Sequence, residues 1–175
     1  LVPVMRIYPE QGFSNFVLAG GHRQEILVDY FRDRFREWNV EVVDTGQDSD
    51  TGERIRRCAD HVGDTFFATY GDGLGNVDLH RLLRFHSERG KLATVTSVPL
   101  KSQYGTVVFD QNGRVEHFTE KPTIREHWVN GGFFVFEKRV FDVWDGQSLE
   151  RDVLPKLAER GELGGLDHLL LGQRQ

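Results

Sequence analysis

Short apolar runs alternate with amphipathic segments through the first hundred residues, and this alternation restricts the fold more than any other feature of the sequence. The runs at 16–19, 40–43, 65–70 and 92–98 have the length and the β-branched or aromatic content of strands. Between them, segments such as 22–38 carry apolar residues at helical spacing. Strand–helix–strand alternation implies crossover connections between parallel strands. The sequence therefore predicts an α/β fold with a mixed, mostly parallel sheet flanked by helices.

The rest of the chain adds a hairpin, a strand and a last helix to this plan. Residues 104–118 predict an inserted β-hairpin, because an Asp-Gln-Asn-Gly turn separates two strand-like runs. A further strand is predicted at 129–136 and a last helix from Ser148 to Gly161, while the N-terminal residues 1–8 form a helix or a strand. The polar stretch 47–52 predicts an exposed loop. No Pro/Gly/Ser-rich linker divides the chain, so we expect residues 1–175 to be a single domain.

Charge and cysteine content exclude several classes of protein. The net charge is −5 and the isoelectric point about 5.8, which argues against a protein that coats nucleic acid. No apolar run approaches the roughly 20 residues of a membrane span, so no membrane partner is expected. The single cysteine, Cys58, forms no intrachain disulfide and suits a reducing compartment. We expect a cytoplasmic protein, and the sequence leaves a homo-oligomer open.

A carboxylate between two glycines follows the most strand-like run of the chain. Asp72 stands between Gly71 and Gly73, directly after the run that ends at Tyr70. In parallel sheets ligands bind outside the carboxyl ends of the strands. Asp72 is therefore a candidate ligand for Mg²⁺ with room for phosphates beside it. The alternative is a turn aspartate that bonds its own backbone.

Two segments near the predicted hairpin carry further candidate binding residues. One interpretation is that Glu120 accepts hydrogen bonds from sugar hydroxyls and that Lys121 neutralises a phosphate. The alternative is that the two side chains form a solvated charge pair. The segment Asn130-Gly131-Gly132 interrupts a strand, which indicates either a simple bulge or a close approach of a ligand to the backbone.

A basic cluster follows the polar loop. Arg54, Arg56 and Arg57 either bind nucleotide phosphates or form a solvated helix face.

Taken in order, several short motifs resemble those of the sugar-phosphate nucleotidyltransferase family over nearly the whole chain. The stretch from Trp38 to Gly46 and the run Asn130–Val135 point to the cytidylyl branch of that family. The motifs, in chain order, are Asp44-Thr45-Gly46, Thr51-Gly52, Tyr70-Gly71-Asp72-Gly73, Tyr104-Gly105, Glu120-Lys121-Pro122 and Asn130-Gly131-Gly132-Phe133-Phe134.

The resemblance implies a Rossmann-like nucleotidyltransferase fold and a place in nucleotide-sugar biosynthesis. The implied reaction joins a nucleoside triphosphate, CTP in this branch, to a sugar 1-phosphate, glucose 1-phosphate in this branch. Its products are a nucleoside diphosphate sugar and pyrophosphate. Two alternatives stay open: a same-fold enzyme that uses GTP, UTP or dTTP, and a non-catalytic relative that binds sugar phosphate or sugar nucleotide.

The resemblance also assigns roles to residues. Asp72 holds the Mg²⁺ ion, and Asp72 and Lys121 are the implied catalytic residues. The implied sugar-phosphate site consists of Tyr104, Gly105, Glu120, Lys121, Asn130, Gly131 and Gly132. The implied nucleotide site consists of Thr51, Gly52, Arg54, Gly71 and Asp72.

The sequence departs from the family pattern in the nucleotide half. The family's glycine-rich Gly-Thr-Arg loop and its second metal-binding aspartate are both missing from residues 1–175. Glu53 stands where the family has a glycine, which predicts a negative charge near the phosphates. We therefore expect this chain to bind sugar phosphate more readily than it catalyses.

Overall fold

The computed structural model describes residues 1–167, with the side chains at 125 and 126 left aside. Its helices are α1 (Val2–Arg6), α2 (Gln24–Arg32), α3 (Thr51–Arg57), α4 (Leu79–Arg89) and α5 (Leu154–Glu159). Its strands are β1 (Asn15–Gly20), β2 (Asn39–Asp44), β3 (Thr65–Thr69), β4 (Ala93–Lys101), β5 (Thr106–Phe109), β6 (Val115–Thr119), β7 (Thr123–Glu137) and β8 (Leu163–Asp167). Short 3₁₀ turns lie at Pro9–Gln11, Ala59–His61 and Lys138–Val143, and a π-helical turn at Leu149–Val153 leads into α5.

The strands form one mixed sheet and two smaller pairs. The main sheet has the order β3-β7-β4-β8, in which β7 is antiparallel to both neighbours and β4 is parallel to β8. Three of its four strands therefore run in the same direction. Strands β1 and β2 pair in parallel, and β5 and β6 form the inserted hairpin. The predicted α/β fold, with its mixed sheet and its hairpin, is confirmed.

Strand β7 organises the hydrophobic core, because its side chains alternate between the two faces of the main sheet. Phe134 and Phe136 pack on one face with the α5 region, and Phe133 and Val135 pack on the other with Tyr8 and α4. All four of these β7 residues are buried. The sheet thus has apolar cover on both faces, as expected where helices flank a sheet.

Local signals at turns and caps are confirmed. The Asp78 side chain accepts a hydrogen bond from the Arg81 amide at 2.8 Å and so caps α4, which ends at Gly90 with a φ of 61°. In the hairpin turn Gly113 has a φ of 81°, a conformation that favours glycine. The N-terminal segment is helical, as α1.

Two expectations about local structure were wrong, and one strand was not predicted. The helix predicted over 22–38 ends at Arg32, and the chain then turns through Phe35, whose φ is 53°. The loop predicted over 47–52 ends at Asp50, because α3 begins at Thr51 and its second residue, Gly52, is buried. Strand β8 was not predicted, because Gly164 and Gly165 weaken its strand pattern.

Two negative findings concern membranes and the C-terminus. Within residues 1–167, no helix is both long enough and apolar enough to cross a membrane. The C-terminal residues, among which the family's second metal-binding aspartate is missing, lie outside the described part of the chain.

Candidate functional site

The carboxyl end of β3 carries the predicted metal ligand, Asp72. This residue is exposed and has no hydrogen-bond or ion-pair partner among the described side chains. A side chain at Gly73 would meet nothing within 4 Å, so open space lies next to the carboxylate. Residues 1–167 contain no group of three or more metal-ligating side chains. Mg²⁺ is commonly bound by one or two carboxylates together with substrate phosphates, and a single free carboxylate in open space fits that mode.

Four side chains from distant parts of the sequence form one hydrogen-bond network beside this end of β3. The Tyr70 hydroxyl donates to Glu150 Oε1 at 2.5 Å, and Thr51 Oγ1 donates to Glu150 Oε2 at 2.8 Å. The Asn130 side-chain amide donates to the Tyr70 hydroxyl oxygen at 3.1 Å. We call Thr51, Tyr70, Asn130 and Glu150 the Glu150 network. It joins α3, β3, β7 and the turn before α5.

The network changes the acidity of its two titratable members. Burial raises the pKa of Tyr70, and the hydrogen bond and negative charge of Glu150 raise it further. For Glu150, burial acts to raise the pKa, but hydrogen bonds from Tyr70, Thr51 and Ser148 outweigh it and leave the pKa below its ordinary value. Tyr70 therefore stays a neutral donor and Glu150 a charged acceptor at neutral pH.

The glycines after Asn130 form a bulge that lets this network assemble. The register between β4 and β7 shifts here, from Val95 opposite Phe134 to Ser97 opposite Asn130. Gly132 has a φ of 79°, and a side chain on it would meet the Tyr70 ring at 3.1 Å. A side chain on Gly131 would meet Thr96 Oγ1 at 2.7 Å. The bulge is confirmed, and its glycines let the protein's own Tyr70 and Thr96 approach the backbone.

Gly52 lies where α3 packs against another backbone segment. A Cβ on Gly52 would lie 2.8 Å from the Gln147 carbonyl oxygen and 2.9 Å from the Leu149 nitrogen. Thr51 Oγ1 also accepts a hydrogen bond from the Leu149 amide at 2.9 Å. The Thr51-Gly52 pair thus fixes α3 against residues 147–149 and places Thr51 in the Glu150 network.

The basic cluster of α3 is engaged in internal contacts. Arg54 donates to the Gly20 carbonyl at 3.1 Å, to Thr45 Oγ1 at 2.9 Å and to the Gln47 carbonyl at 3.1 Å. This guanidinium therefore ties the carboxyl end of β1 to the loop after β2.

Arg56 and Arg57 bind the unexpected acid of the motif, Glu53. Their guanidinium groups contact the Glu53 carboxylate at 2.7 and 2.8 Å, and its side chain is 12% exposed. Hydrogen bonds from Arg56 and Arg57 lower the pKa of Glu53 to about 2. The negative charge expected near the phosphates is thus neutralised within α3.

The hairpin brings a second set of predicted residues together. A Cβ on Gly105 would lie 2.9 Å from Glu120 Oε2 and 2.5 Å from the Phe118 ring, so both side chains approach this glycine closely. Tyr104, the neighbour of Gly105, is 77% exposed. The Glu120 carboxylate thus lies beside the backbone of Gly105, the neighbour of the exposed Tyr104. We call Tyr104, Gly105, Glu120 and Lys121 the hairpin site.

Lys121, between β6 and β7, has an unusual backbone conformation. Its φ is 45°, although it is not glycine and precedes Pro122. The residue before a proline is normally extended, and strain of this kind concentrates at functional sites. The Lys121 side chain is exposed and makes no ion pair with the described residues. Its positive charge is therefore available to a ligand.

The predicted site residues thus fall into two groups. Thr51 and Asn130 are joined through Glu150 and Tyr70, two residues before Asp72, while Gly105 and Glu120 lie close together at the hairpin site. No hydrogen bond within residues 1–167 joins the two groups. Glu150 itself was not predicted, since its partners Tyr70 and Thr51 are 80 and 99 residues away and no local motif marks it.

Comparison with known proteins identifies relatives of this chain. The family model described as nucleotidyl transferase matches residues 5–164. A probable glucose-1-phosphate cytidylyltransferase of Bacillus subtilis (strain 168) is 35% identical over 190 residues, which cover 94% of this chain and 74% of the relative. Glucose-1-phosphate cytidylyltransferase of Salmonella typhi is 32% identical over the same shares of the two chains. More distant matches include a uridylyltransferase and a putative guanyltransferase.

A solved structure shares the fold. The crystal structure of HddC from Yersinia pseudotuberculosis superposes with a TM-score of 0.69 at 18% identity, covering 95% of this chain and 75% of HddC.

Proposed function

Because the chain belongs to the nucleotidyl transferase family, we propose that it transfers a nucleotidyl group from CTP to glucose 1-phosphate. Relatives named for UTP and GTP chemistry share the family. The choice of CTP depends on the two cytidylyltransferases, because the match covers 74% of each of them but only 47% of the uridylyltransferase and 39% of the guanyltransferase. The proposed products are CDP-glucose and pyrophosphate.

One observation carries the proposal: Thr51, from the nucleotide half of the motif set, and Asn130, from the sugar half, meet in the Glu150 network. Glu150 and Tyr70 together link them, and Asp72 follows Tyr70 by two residues. A transferase must hold its two substrates side by side, since alignment of the reacting atoms supplies much of the rate enhancement. The proximity of the two halves suits transfer from one bound substrate to the other.

In the proposed reaction a phosphate oxygen of the sugar phosphate attacks the α-phosphorus of the triphosphate. The new P–O bond forms as the bond to the β-phosphate oxygen breaks, and that electron pair leaves with pyrophosphate. Asp72 would hold a Mg²⁺ ion, which would supply charge neutralisation at the phosphate oxygens. Lys121 neutralises the sugar phosphate, and Glu120 accepts hydrogen bonds from sugar hydroxyls. Glu150 keeps Tyr70 and Asn130 in place.

The test is pyrophosphate release by the 175-residue chain from each of CTP, UTP, GTP and dTTP, with glucose 1-phosphate and Mg²⁺. We expect release to be fastest with CTP. Faster release with another triphosphate would show that the enzyme prefers that nucleotide to CTP, while the proposed type of reaction would stand. Release without sugar phosphate would indicate hydrolysis and contradict the proposal.

A second candidate function, binding without turnover, is favoured by the contacts of α3. Arg54, Arg56 and Arg57 are engaged with the protein's own carbonyls and with Glu53, so they offer few free donors to a triphosphate. Calorimetric binding of glucose 1-phosphate with no pyrophosphate release from any triphosphate would establish this second function.

A further inference from the structure

Trp128 is the one tryptophan whose ring packs against no other aromatic ring in the described part of the chain. The residue is 46% exposed, and its indole N–H has no hydrogen-bond partner among the described residues. By contrast, Trp38 lies 4.4 Å from the Phe35 ring and Trp144 lies 5.4 Å from the Phe141 ring. Tryptophan is highly buried on average, so a tryptophan left this open on a strand is a candidate binding residue.

Trp128 projects from the same face of β7 as Asn130. The pairing of β7 with β4 is regular here, with Asn130 opposite Ser97 and Trp128 opposite Pro99. Side chains two residues apart on a regular strand lie on the same face, about 7 Å from each other. The indole therefore lies beside the side chain that donates to the Tyr70 hydroxyl.

A shift in register brings Trp128 close to the start of β7. Leu100 of β4 is opposite Ile124, and the next residue of β4, Pro99, is opposite Trp128. Residues 125–127 therefore have no counterpart in β4. Measured along β4, Trp128 is one strand step, or about 3.4 Å, from Ile124 rather than four steps.

The same ladder continues into the hairpin site. The Ser102 amide donates to the Pro122 carbonyl at 2.9 Å, so Pro122 is level with Ser102. Ser102 is three residues from Pro99, a distance of about 10 Å along β4. Trp128, which is opposite Pro99, thus lies between the hairpin site and the Glu150 network.

A cyclic sugar phosphate has the chemistry that this row of groups would recognise. Its phosphate is a partner for the exposed Lys121 ammonium group, and its hydroxyls can donate to the Glu120 carboxylate. The ring carries C–H groups on its two faces, so that each face is in large part apolar and suits an aromatic surface. The Trp128 indole offers such a surface beside the two charges.

We propose that the Trp128 indole is the stacking surface for the ring of the sugar phosphate, while Lys121 binds its phosphate. This inference rests on the proposed function and adds to it a residue that none of the sequence motifs contains. It also narrows the acceptor to cyclic sugar phosphates, because an acyclic phosphate has no ring face to place on the indole. Trp128 is thus a specificity residue, which contacts the substrate and takes no part in bond formation.

Calorimetry of the 175-residue chain with two phosphate esters tests this assignment. One ligand is glucose 1-phosphate, and the other is glycerol 3-phosphate, which has the phosphate but no ring. We expect Trp128→Ala to weaken binding of glucose 1-phosphate at least about tenfold and to change binding of glycerol 3-phosphate less than about twofold. Lys121→Ala should weaken binding of both. Trp128→Phe, which keeps an aromatic face, should bind glucose 1-phosphate more tightly than Trp128→Ala.

Tryptophan fluorescence supplies a measurement that a purely structural role would not change. Glucose 1-phosphate should alter the emission of the unaltered chain, because the ring displaces water from the exposed indole. The change should disappear in Trp128→Phe and persist in Trp38→Phe, the matched control, whose indole is already stacked on Phe35. CTP alone should not produce it. Should Trp128→Ala fail to fold, the fluorescence of the unaltered chain and of these two variants still decides.

The possible failures of this inference and of the proposed function are distinct. Equal affinity of the unaltered chain and Trp128→Ala for glucose 1-phosphate would overturn the inference alone. A change in Trp128 emission with CTP but not with glucose 1-phosphate would assign the indole to the nucleotide and would also overturn it. No binding of glucose 1-phosphate by the unaltered chain would overturn the proposed function, and this inference with it.

Discussion

The Tyr70 hydroxyl donates a hydrogen bond to the Glu150 carboxylate across 80 residues of sequence, at 2.5 Å. The same carboxylate accepts a hydrogen bond from Thr51, and the same hydroxyl accepts one from Asn130. The end of β3, the start of α3 and the bulge of β7 therefore have a common anchor. A substitution at any one of the four residues of the Glu150 network should therefore alter the positions of the other three.

Substitutions of Tyr70 and Glu150 should have coupled effects on stability, because the two side chains share a hydrogen bond. We expect Tyr70→Phe and Glu150→Gln each to lower the free energy of unfolding by about 1–2 kcal/mol, since each breaks hydrogen bonds to a charged group. The double variant should lose less than the sum of the two by at least about 0.5 kcal/mol. Urea unfolding of the four proteins measures this. Tyr30→Phe, on α2, is the control, and strict additivity would show that the contact contributes nothing.

Gly52→Ala should be strongly destabilising, although alanine normally favours a helix. The added methyl group would overlap backbone atoms of residues 147–149, which cannot move aside as a flexible side chain would. We expect a loss of about 1–3 kcal/mol in the free energy of unfolding. Gly165→Ala is the matched control, because nothing lies within 4 Å of its Cβ position. Equal stability of the two variants would contradict the packing described for α3.

The Glu53 carboxylate should contribute to acid sensitivity. Its pKa is lowered to about 2 by Arg56 and Arg57, below the ordinary value of 4.5. A carboxylate with a lowered pKa stabilises the folded state above its unfolded pKa and loses that contribution as the pH falls. Stability should therefore decline between about pH 4.5 and pH 2, and Glu53→Gln should flatten this part of the curve. Thermal unfolding from pH 2 to pH 7 measures it, with Glu116→Gln as the exposed control; an unchanged slope in Glu53→Gln would refute the role.

Lys121 should bind the phosphate of the sugar substrate. We expect Lys121→Ala to weaken glucose 1-phosphate binding by about 1.5–3 kcal/mol, the scale of a hydrogen bond to a charged group, with far less effect on glucose. Lys121→Gly should show the same loss while remaining at least as stable as Lys121→Ala, because glycine adopts the φ of 45° without strain. Calorimetry measures both, with Lys91→Ala as the control. Equal losses for glucose and its phosphate would make Lys121 a structural residue.

Asp72 should be required for metal-dependent nucleotide binding. Asp72→Asn keeps the size of the side chain and removes the charge that attracts Mg²⁺. We expect the fold to stay intact, judged by circular dichroism, and Mg²⁺-dependent affinity for CTP to fall at least about tenfold, a change of 1.4 kcal/mol. Asp60→Asn, at an exposed turn, is the control. Undiminished CTP binding by Asp72→Asn at saturating Mg²⁺ would show that Asp72 does not hold the metal.

The sequence predicts this fold well where the determining interactions are local. Strand β3, the Asp78 cap and the hairpin turn each follow from a few adjacent residues, and the double glycine at 131–132 marks the bulge correctly. Strand β8 escaped prediction because its stability depends on pairing with β4, which the sequence of Gly164-Gly165 does not reveal. Helix α2 also ends earlier than predicted, at Arg32, and a left-handed residue follows at Phe35.

The candidate site was predictable as a set of motifs but not as a set of contacts. Thr51, Asp72 and Asn130 could be named from the sequence, whereas Glu150, which joins two of them, could not. The inward direction of Arg54 is equally invisible, because it depends on the carbonyl of Gly20 and the hydroxyl of Thr45. Long-range hydrogen bonds of this kind decide which motif residues face a ligand and which hold the protein together.

Strand β7 has a consequence for local opening. Its inner half, at Phe133–Phe136, is buried between two strands, but in its outer half Trp128 is 46% exposed. The free energy needed to open a segment locally depends on how much apolar surface it buries. The outer half follows the Glu120–Lys121 turn and pairs with β4 alone, whereas the inner half pairs with both β3 and β4. We therefore expect local opening of the outer half to require less free energy than that of the inner half. One strand thus joins an inner half that is paired on both sides to an outer half that is paired on one side only. The Glu120 and Lys121 charges proposed to bind the sugar phosphate adjoin this less constrained half.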